Sequence, residues 1–230
     1  MIAGVDGYKG GWIATIQGND DKAHVEYFPT FSDLAKKTDL NLIVIDIPIG
    51  LPQPGSPRRA DIEVRKLLRQ RGCCVFPAPI RPLLKCHTQA QATTEGRQLE
   101  GKGCPIMLWC IIPKIKEVDS LMRTQAGLKA RVKEGHPEVT FAVMNGDQPI
   151  PVSKHKREGQ QIRLELLREW FGDRPRDDCH AKPGARGDII DAYAMLWTAR
   201  RFVNDSGRVR RFPDGEAPID SEGLPMQIIA

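Results

Sequence analysis

The segment M-I-A-G-V-D-G-Y-K-G-G-W-I-A-T-I (1–16) decides the fold. Its first apolar run ends at Asp6, a glycine-rich turn spans 7–11, and a second apolar run begins at Trp12. Two apolar runs joined by a short glycine-rich turn predict a β-hairpin. A further run over 24–28 is typical of a third strand, so we expect the chain to begin with three antiparallel strands.

A fourth strand is predicted by L-N-L-I-V-I (40–45), which ends at Asp46. An almost uninterrupted apolar run suits a strand that is buried on both faces. The residues from roughly 50 to 128 mix prolines with helical patterns, which predicts a mainly helical insertion, and a fifth strand is expected over 130–133. Apolar spacing and capping residues predict helices over 31–37, 59–70, 86–100, 107–124, 158–171 and 188–203, with one more starting near His136-Pro137.

This order of elements is that of the ribonuclease H-like fold. We therefore expect one α/β domain over 1–230, with a mixed five-stranded sheet of three antiparallel strands plus parallel strands, flanked by helices. Such a fold does not by itself give a function, because it is shared by nucleases, kinases and chaperone ATPases.

Composition narrows the class of protein. Of 230 residues, 40% are hydrophobic and 27% charged, which is typical of a globular chain. No apolar run approaches the ~20 residues needed to cross a bilayer, and the first residues lack the layout of a signal peptide, so we expect a cytoplasmic protein with no membrane contact. The six cysteines show no C-x-x-C spacing, which argues against a zinc ribbon or a disulfide framework. The net charge is +5, with basic clusters over 58–71 and 200–211 that are either solvated helix faces or a surface for phosphates.

Four aspartates fall at informative positions. Asp6 and Asp46 each end a predicted strand, and their carboxylates emerge side by side if those strands pair in parallel. Asp188 and Asp191 are three residues apart on a predicted helix and therefore share one face. A helix packed on the sheet would direct both toward the first two acids. Each acid also has an ordinary explanation, as a turn-former or a helix cap, so the hypothesis depends on all four together.

Converging carboxylates need cations to neutralise them. Oxygen ligands at this density favour Mg²⁺ or Mn²⁺ over zinc. Two such ions about 4 Å apart can activate water and stabilise the leaving oxygen in phosphodiester hydrolysis. The sequence therefore predicts Asp6, Asp46, Asp188 and Asp191 as metal ligands and catalytic residues.

A second polar layer is predicted around this centre. Glu134 lies where the fifth strand should end and is a further candidate ligand, and His136 is a candidate for proton transfer. The candidate phosphate contacts are basic residues from several parts of the chain, for which surface salt bridges are the alternative explanation: Lys9, Arg81, Lys114, Lys154 and Arg163.

Several segments, in order along the chain, carry a resemblance to a known family: G-V-D-G-Y-K-G-G-W (4–12), I-D-I-P-I-G-L-P (45–52), V-F-P-A-P-I-R (75–81), P-K-I-K-E-V-D (113–119), H-P-E-V-T-F (136–141), D-I-I-D-A-Y-A (188–194) and G-L-P-M-Q-I (223–228). They resemble domain-of-unknown-function family 429, which is described as predicted nucleases of the ribonuclease H fold. The resemblance implies the four aspartates, with Glu134 and Glu138 in the neighbouring motif, and the D-x-x-D helix also resembles that of Holliday-junction resolvases.

The chain departs from the family pattern at two places. Where the family has Ser-x-Gln before P-K-I, this chain has Pro105-Ile106-Met107, and Gly135 stands where an apolar residue is expected. Both departures leave the four aspartates untouched.

The leading hypothesis is a Mg²⁺- or Mn²⁺-dependent nuclease whose partner is nucleic acid, with DNA and RNA both open. One alternative is a non-catalytic nucleic-acid-binding or assembly protein, although four acids facing a phosphate backbone argue against it. A phosphotransferase or ATPase is disfavoured, because that group usually has two fold halves and about twice this length. The oligomeric state stays open, with a homodimer among the options.

Overall fold

Seven strands form one mixed sheet in the computed structural model, which describes residues 1–18 and 20–230. Their spatial order is β3-β2-β1-β4-β5-β7-β6. β1 pairs antiparallel with β2 and β2 with β3, whereas β4, β5 and β7 continue the sheet parallel to β1, and β6 closes it antiparallel to β7. The bounds are β1 Ile2–Tyr8, β2 Gly11–Gln17, β3 Ala23–Phe28, β4 Leu42–Ile45, β5 Val132–Gly135, β6 Arg211–Phe212 and β7 Ile228–Ile229.

The α/β class, the mixed sheet and the first five strands are confirmed, but the predicted number of five strands was wrong. β6 and β7 have two residues each, too few to show the alternation by which a strand is recognised in sequence. The fifth strand also lies two residues further along the chain than predicted, which matters for Glu134 below.

The described residues form nine α-helices: α1 Phe31–Ala35, α2 Arg59–Leu68, α3 Gln89–Glu100, α4 Ile106–Thr124, α5 Ala126–Arg131, α6 Pro137–Met144, α7 Arg157–Phe171, α8 Arg174–Ala181 and α9 Arg186–Asn204. The hydroxyls of Thr30 and Thr88 accept backbone N–H bonds at the starts of α1 and α3. α5 and α8 were not predicted, because one is a single short segment and the other carries mostly charged residues. Across the described residues, no helix combines the length and apolarity that crossing a membrane requires.

The two faces of the sheet are buried by different helices. α9 packs on the face that carries Ile13 and Val44, together with apolar residues of α7. The opposite face, which carries Ile43 and Ile45, is covered by α1 and by Ile115 of α4. Part of the predicted insertion therefore forms a layer of the sheet's own core.

The contact between β1 and α9 is unusually close. A Cβ atom at Gly4 would lie 2.0 Å from the Leu196 nitrogen and 2.2 Å from the Ala192 carbonyl oxygen. Only a residue without a side chain allows the backbones of strand and helix to approach this far. Gly4 therefore fixes the distance from the sheet at which α9 presents its acidic residues.

Candidate active site

Asp6 and Asp46 lie side by side at the same edge of the sheet. β1 and β4 pair in parallel from Ile2↔Leu42 to Val5↔Ile45, and the Asp46 amide donates to the Val5 carbonyl oxygen at 2.9 Å. Side chains alternate along a strand, so Asp6 shares the face of Gly4 and points to the side on which α9 packs. Parallel pairing thus brings together two acids that are forty positions apart.

Asp188 and Asp191 lie in the first turns of α9 on the same side of the sheet. Asp191 is buried and Asp188 half-buried. Ala192, which follows Asp191 directly, is one of the residues that contact β1 at Gly4. The close packing therefore places the two helix acids beside the two strand acids.

The four carboxyl groups act on one another electrostatically. Burial raises the pKa of Asp6 well above its usual range, and the charges of Asp46, Asp191 and Asp188 raise it further. Burial likewise raises the pKa of Asp46 and of Asp188, and Asp191 adds to both. Such a group of repelling acids is stable only where cations or protons compensate them. We refer to Asp6, Asp46, Asp188 and Asp191 as the acid cluster.

Lys154 supplies one compensating charge. Its ammonium nitrogen lies 2.5 Å from Asp191 Oδ2. Asp191 is the main reason that the pKa of Lys154 is raised, and Asp6 and Asp46 add to it against the effect of burial. The predicted phosphate contact Lys154 is thus inside the acid cluster in this structure.

His136 lies next to the acid cluster. It directly precedes α6, and its charge opposes the raised pKa of Asp46. Its Nδ1 atom is buried and has no hydrogen-bond partner among the described residues. The ring is therefore placed near the acids with one nitrogen still available.

Glu134 is not brought to the acid cluster. It pairs with Ile45 within β5, so its side chain points to the sheet face opposite the one that α9 covers. There its carboxylate binds the buried guanidinium of Arg58, at 3.0 Å from Nη1, and accepts the Ile49 amide at 2.7 Å. These contacts give Glu134 a structural role that ties residues near Ile49 and Arg58 to the sheet.

A family profile described as "Protein of unknown function (DUF429)" matches residues 4–217, which is most of the chain. The chain belongs to the DUF429 family. Neither the search of curated proteins nor the search of solved structures gave a match for it. The match includes all four members of the acid cluster.

Two basic residues of this DUF429 protein that were predicted to contact phosphate bind acids of the chain itself. Arg163 is fully buried and holds Glu138 through two bonds of 2.8 Å. Arg81 pairs with Asp119 at 2.9 Å and also with Asp220. Arg163 therefore has no access to a surface ligand, and the guanidinium of Arg81 is already engaged by two carboxylates.

Lys114, on α4, packs against the hairpin turn that follows Asp6. Its ammonium donates to the Gly11 carbonyl and lies 4.4 Å from the centre of the Trp12 ring. Burial lowers the pKa of Lys114, while the charge of Asp6 acts in the opposite direction. Lys114 thus holds the glycine-rich turn of the DUF429 chain close to Asp6.

The structure surrounds Lys9, one of the predicted phosphate contacts, with residues that the sequence did not indicate. Tyr8 and Tyr27 lie with ring centres 5.4 Å apart, Lys9 stands 5.1 Å from the Tyr8 ring centre and Lys182 stands 3.6 Å from that of Tyr27. Lys9 and Lys182 are exposed, and Asp188 acts electrostatically on both Lys9 and Tyr27. We call these four residues the lysine–tyrosine patch. They come from the end of β1 and the turn after it, from β3 and from the loop before α9, so no local sequence pattern could have joined Tyr8 and Lys9 to Tyr27 and Lys182.

The donor chemistry of the acid cluster suits a hard divalent cation, because all four residues offer carboxylate oxygens. The arrangement of those oxygens is a separate matter. Within residues 1–18 and 20–230, no three His, Cys, Asp or Glu side chains are disposed to hold one metal ion. In this conformation the Lys154 ammonium binds Asp191, so a metal would require some of these side chains to move.

Proposed function

We propose that this DUF429 protein is a Mg²⁺- or Mn²⁺-dependent nuclease built on a ribonuclease H-like fold. The observation that carries the proposal is the acid cluster: four aspartates from two strands and one helix meet on one side of the sheet, in surroundings that raise the pKa of three of them. A buried concentration of negative charge is costly to fold and is typical of a catalytic or cation-binding site.

The proposed fold rests on the topology of the first five strands. β1, β2 and β3 are antiparallel, and β4 and β5 extend the other side of β1 in parallel. This is the order on which the ribonuclease H-like expectation was based, with β7 and β6 added beyond β5. In this account β1 and β4 are the two strands that deliver acids to the site.

Asp6, Asp46, Asp188 and Asp191 would hold the metal. When bound, Mg²⁺ or Mn²⁺ supplies a polarised water and charge neutralisation at the phosphate. The chain itself positions the substrate and handles protons. His136 is beside Asp46, and its buried Nδ1 atom has no hydrogen-bond partner among the described residues, so the ring is the candidate for proton transfer.

The lysine–tyrosine patch would bind the phosphodiester backbone next to the acid cluster. Exposed ammonium groups attract phosphates strongly, since each contact releases a counterion from the nucleic acid. Lys9 follows Tyr8 at the end of β1, and Lys182 precedes the helix that carries Asp188. A strand bound by these lysines would pass directly beside the acids.

A non-catalytic nucleic-acid-binding protein is the second candidate. The observation in its favour is that, within the described residues, no three metal-ligating side chains are positioned to hold one metal ion. On that account the acids and Lys154 are a structural network, and the patch alone carries the function.

A cleavage assay separates the two candidates. Labelled single strands, duplexes and four-way junctions of DNA, and single and double strands of RNA, would be incubated with Mg²⁺, Mn²⁺ or a chelator. We expect cleavage of at least one substrate by the wild type with metal, none with chelator, and none by Asp6→Asn. Asp39→Asn, which removes an exposed carboxylate, is the matched control and should retain activity. Binding without cleavage of any substrate would favour the second candidate, and equal cleavage by Asp6→Asn would contradict the proposed site.

A further inference from the structure

Lys154 stands out among the basic residues because its charge is placed inside the acid cluster. Its ammonium lies 2.5 Å from Asp191 Oδ2, and the side chain of Asp191 is only 3% exposed. Lys154 is the basic residue that contacts this group of four acids, and its ammonium fills space that a cation bound to Asp191 would need.

We propose that Lys154 is a built-in counter-ion that competes with the divalent cation for the acid cluster and leaves it when a metal binds. This inference rests on the proposed function, because it assumes that the acid cluster is a metal site. On this proposal, a lysine of the same chain controls how tightly the acid cluster binds a metal ion.

The position of Lys154 in the fold allows such a movement. It lies in the loop between α6 and α7, outside any helix or strand, and its side chain is 36% exposed. Arg163 offers a contrast, since its side chain is fully buried in α7 and its Nη2 atom donates to both carboxylate oxygens of Glu138. A lysine on a flexible four-carbon stem with one carboxylate contact can turn outward with few other interactions lost.

Competition also accounts for the arrangement of the acids. An ammonium bound to Asp191 removes one oxygen from the set that could face an ion, and among the described residues no three potential ligands are positioned to hold one metal ion. A divalent cation next to a lysine ammonium is strongly repelled in a buried site. Either the lysine or the metal can occupy the cluster, so binding of one should weaken binding of the other.

The displaced ammonium has a natural second partner. A phosphate of the substrate would lie next to the acid cluster and would attract the Lys154 ammonium away from Asp191. Substrate phosphate and metal should therefore strengthen each other's binding, and this mutual effect must be equal in both directions. Replacing Lys154 should therefore remove the part of the cooperativity between metal and phosphate that depends on the release of Lys154 from Asp191.

The test is isothermal titration of metal-stripped protein with Mn²⁺, comparing the wild type with Lys154→Met and Lys154→Gln. Lys156→Met is the matched control, because it removes the same charge from an exposed position two residues away. We expect both Lys154 variants to bind Mn²⁺ about tenfold more tightly or better, since the competing charge is gone, while Lys156→Met binds like the wild type. Circular dichroism shows whether each variant is folded, and Lys154→Gln retains a polar side chain in case the methionine variant fails to fold.

Each other outcome overturns a defined part of the account. Equal affinity of the wild type and the Lys154 variants overturns the competition but leaves the metal site standing. Weaker binding by the Lys154 variants also overturns it, because Lys154 would then support the metal. Absence of Mn²⁺ binding by all four proteins removes the proposed function itself and the inference with it.

Discussion

Replacing Gly4 with alanine tests how the fold positions the acid cluster. The new Cβ would lie 2.0 Å from the Leu196 nitrogen, 2.2 Å from the Ala192 oxygen and 2.6 Å from the Met195 carbonyl carbon, all of them backbone atoms of α9. Ordinary contact begins near 3.4 Å, so α9 must move away from β1 by about 1.4 Å (3.4 − 2.0). Overpacking of this kind costs about 3 kcal/mol or more, because a helix backbone cannot rotate aside as a side chain can.

Two measurements follow from that displacement. For a chain of this size, about 3 kcal/mol lowers the melting temperature by roughly 6–12 °C. Because Asp188 and Asp191 move with α9 while Asp6 stays in β1, Mn²⁺ affinity should fall by about 10-fold to 100-fold, as for other changes that disturb ligand orientation.

The matched control adds the same methyl group to α9 itself. Gly187 has nothing within 4 Å of its would-be Cβ, so Gly187→Ala should be neutral or stabilise by about 0.5–1 kcal/mol. Thermal unfolding and Mn²⁺ titration of the two variants and the wild type complete the test. A Gly4→Ala protein with wild-type melting temperature and wild-type Mn²⁺ affinity would refute the reasoning, because the close approach of β1 and α9 would then be unimportant to the site.

Three further predictions concern charge. Burial and neighbouring acids raise the pKa of Asp6, so the folded protein retains a proton that the unfolded chain gives up. The free energy of unfolding of the metal-free protein should therefore fall as pH rises from about 4 through the raised pKa of Asp6. Urea unfolding at a series of pH values should show a smaller fall for Asp6→Asn. The same pH dependence in both proteins would show that the pKa of Asp6 is not raised by folding. Arg163→Met should lower the free energy of unfolding by about 3–5 kcal/mol, because it leaves Glu138 buried without a partner, and adding Glu138→Gln should restore most of that loss. A loss below about 1 kcal/mol in chemical denaturation would argue against the buried pair. The double variant Lys9→Ala/Lys182→Ala should bind oligonucleotides more weakly in the presence of chelator, and the slope of log K against log salt concentration should shrink by about 1.5–2. Its affinity for Mn²⁺ should not change. An unaltered slope would show that the lysine–tyrosine patch does not contact the phosphates.

The parts of the account that the sequence could predict are those encoded locally. The hairpin over 1–16 and the apolar strand before Asp46 are recognisable from a few neighbouring residues, and both are confirmed. The three-residue spacing of Asp188 and Asp191 is enough to place them on one helix face, and α9 carries both. Strand ends and helix spacing together select the four acids that the structure brings together.

Glu134 shows where local reasoning ends. A strand four residues long gives little evidence of its register, and a shift of one residue moves a side chain to the other face of the sheet. The predicted strand ended near Glu134, whereas the observed one runs through it to Gly135, and the carboxylate therefore points away from α9 toward Arg58. Whether Arg163 is a buried ion-pair partner or a surface contact likewise depends on packing between distant segments.

Gly135 has a physical explanation that its sequence context did not provide. A Cβ there would lie 2.6 Å from the Met195 sulfur and 2.6 Å from Val44 Cγ1, so the glycine lets β5 pass beneath α9. The apolar side chain expected at this position would meet side chains of the core, whereas at Gly4 it would meet backbone. The glycine at position 135 thus belongs to the packing of α9 on the sheet.

The central claim is that the acid cluster binds a divalent cation, and titration of the metal-stripped protein with Mn²⁺ tests it most directly. The wild type should bind Mn²⁺, Asp39→Asn should bind it equally well, and Asp6→Asn/Asp191→Asn should not bind it. The claim would be contradicted if Asp6→Asn/Asp191→Asn bound Mn²⁺ as tightly as the wild type. It would also be contradicted if neither the wild type nor Lys154→Met bound Mn²⁺.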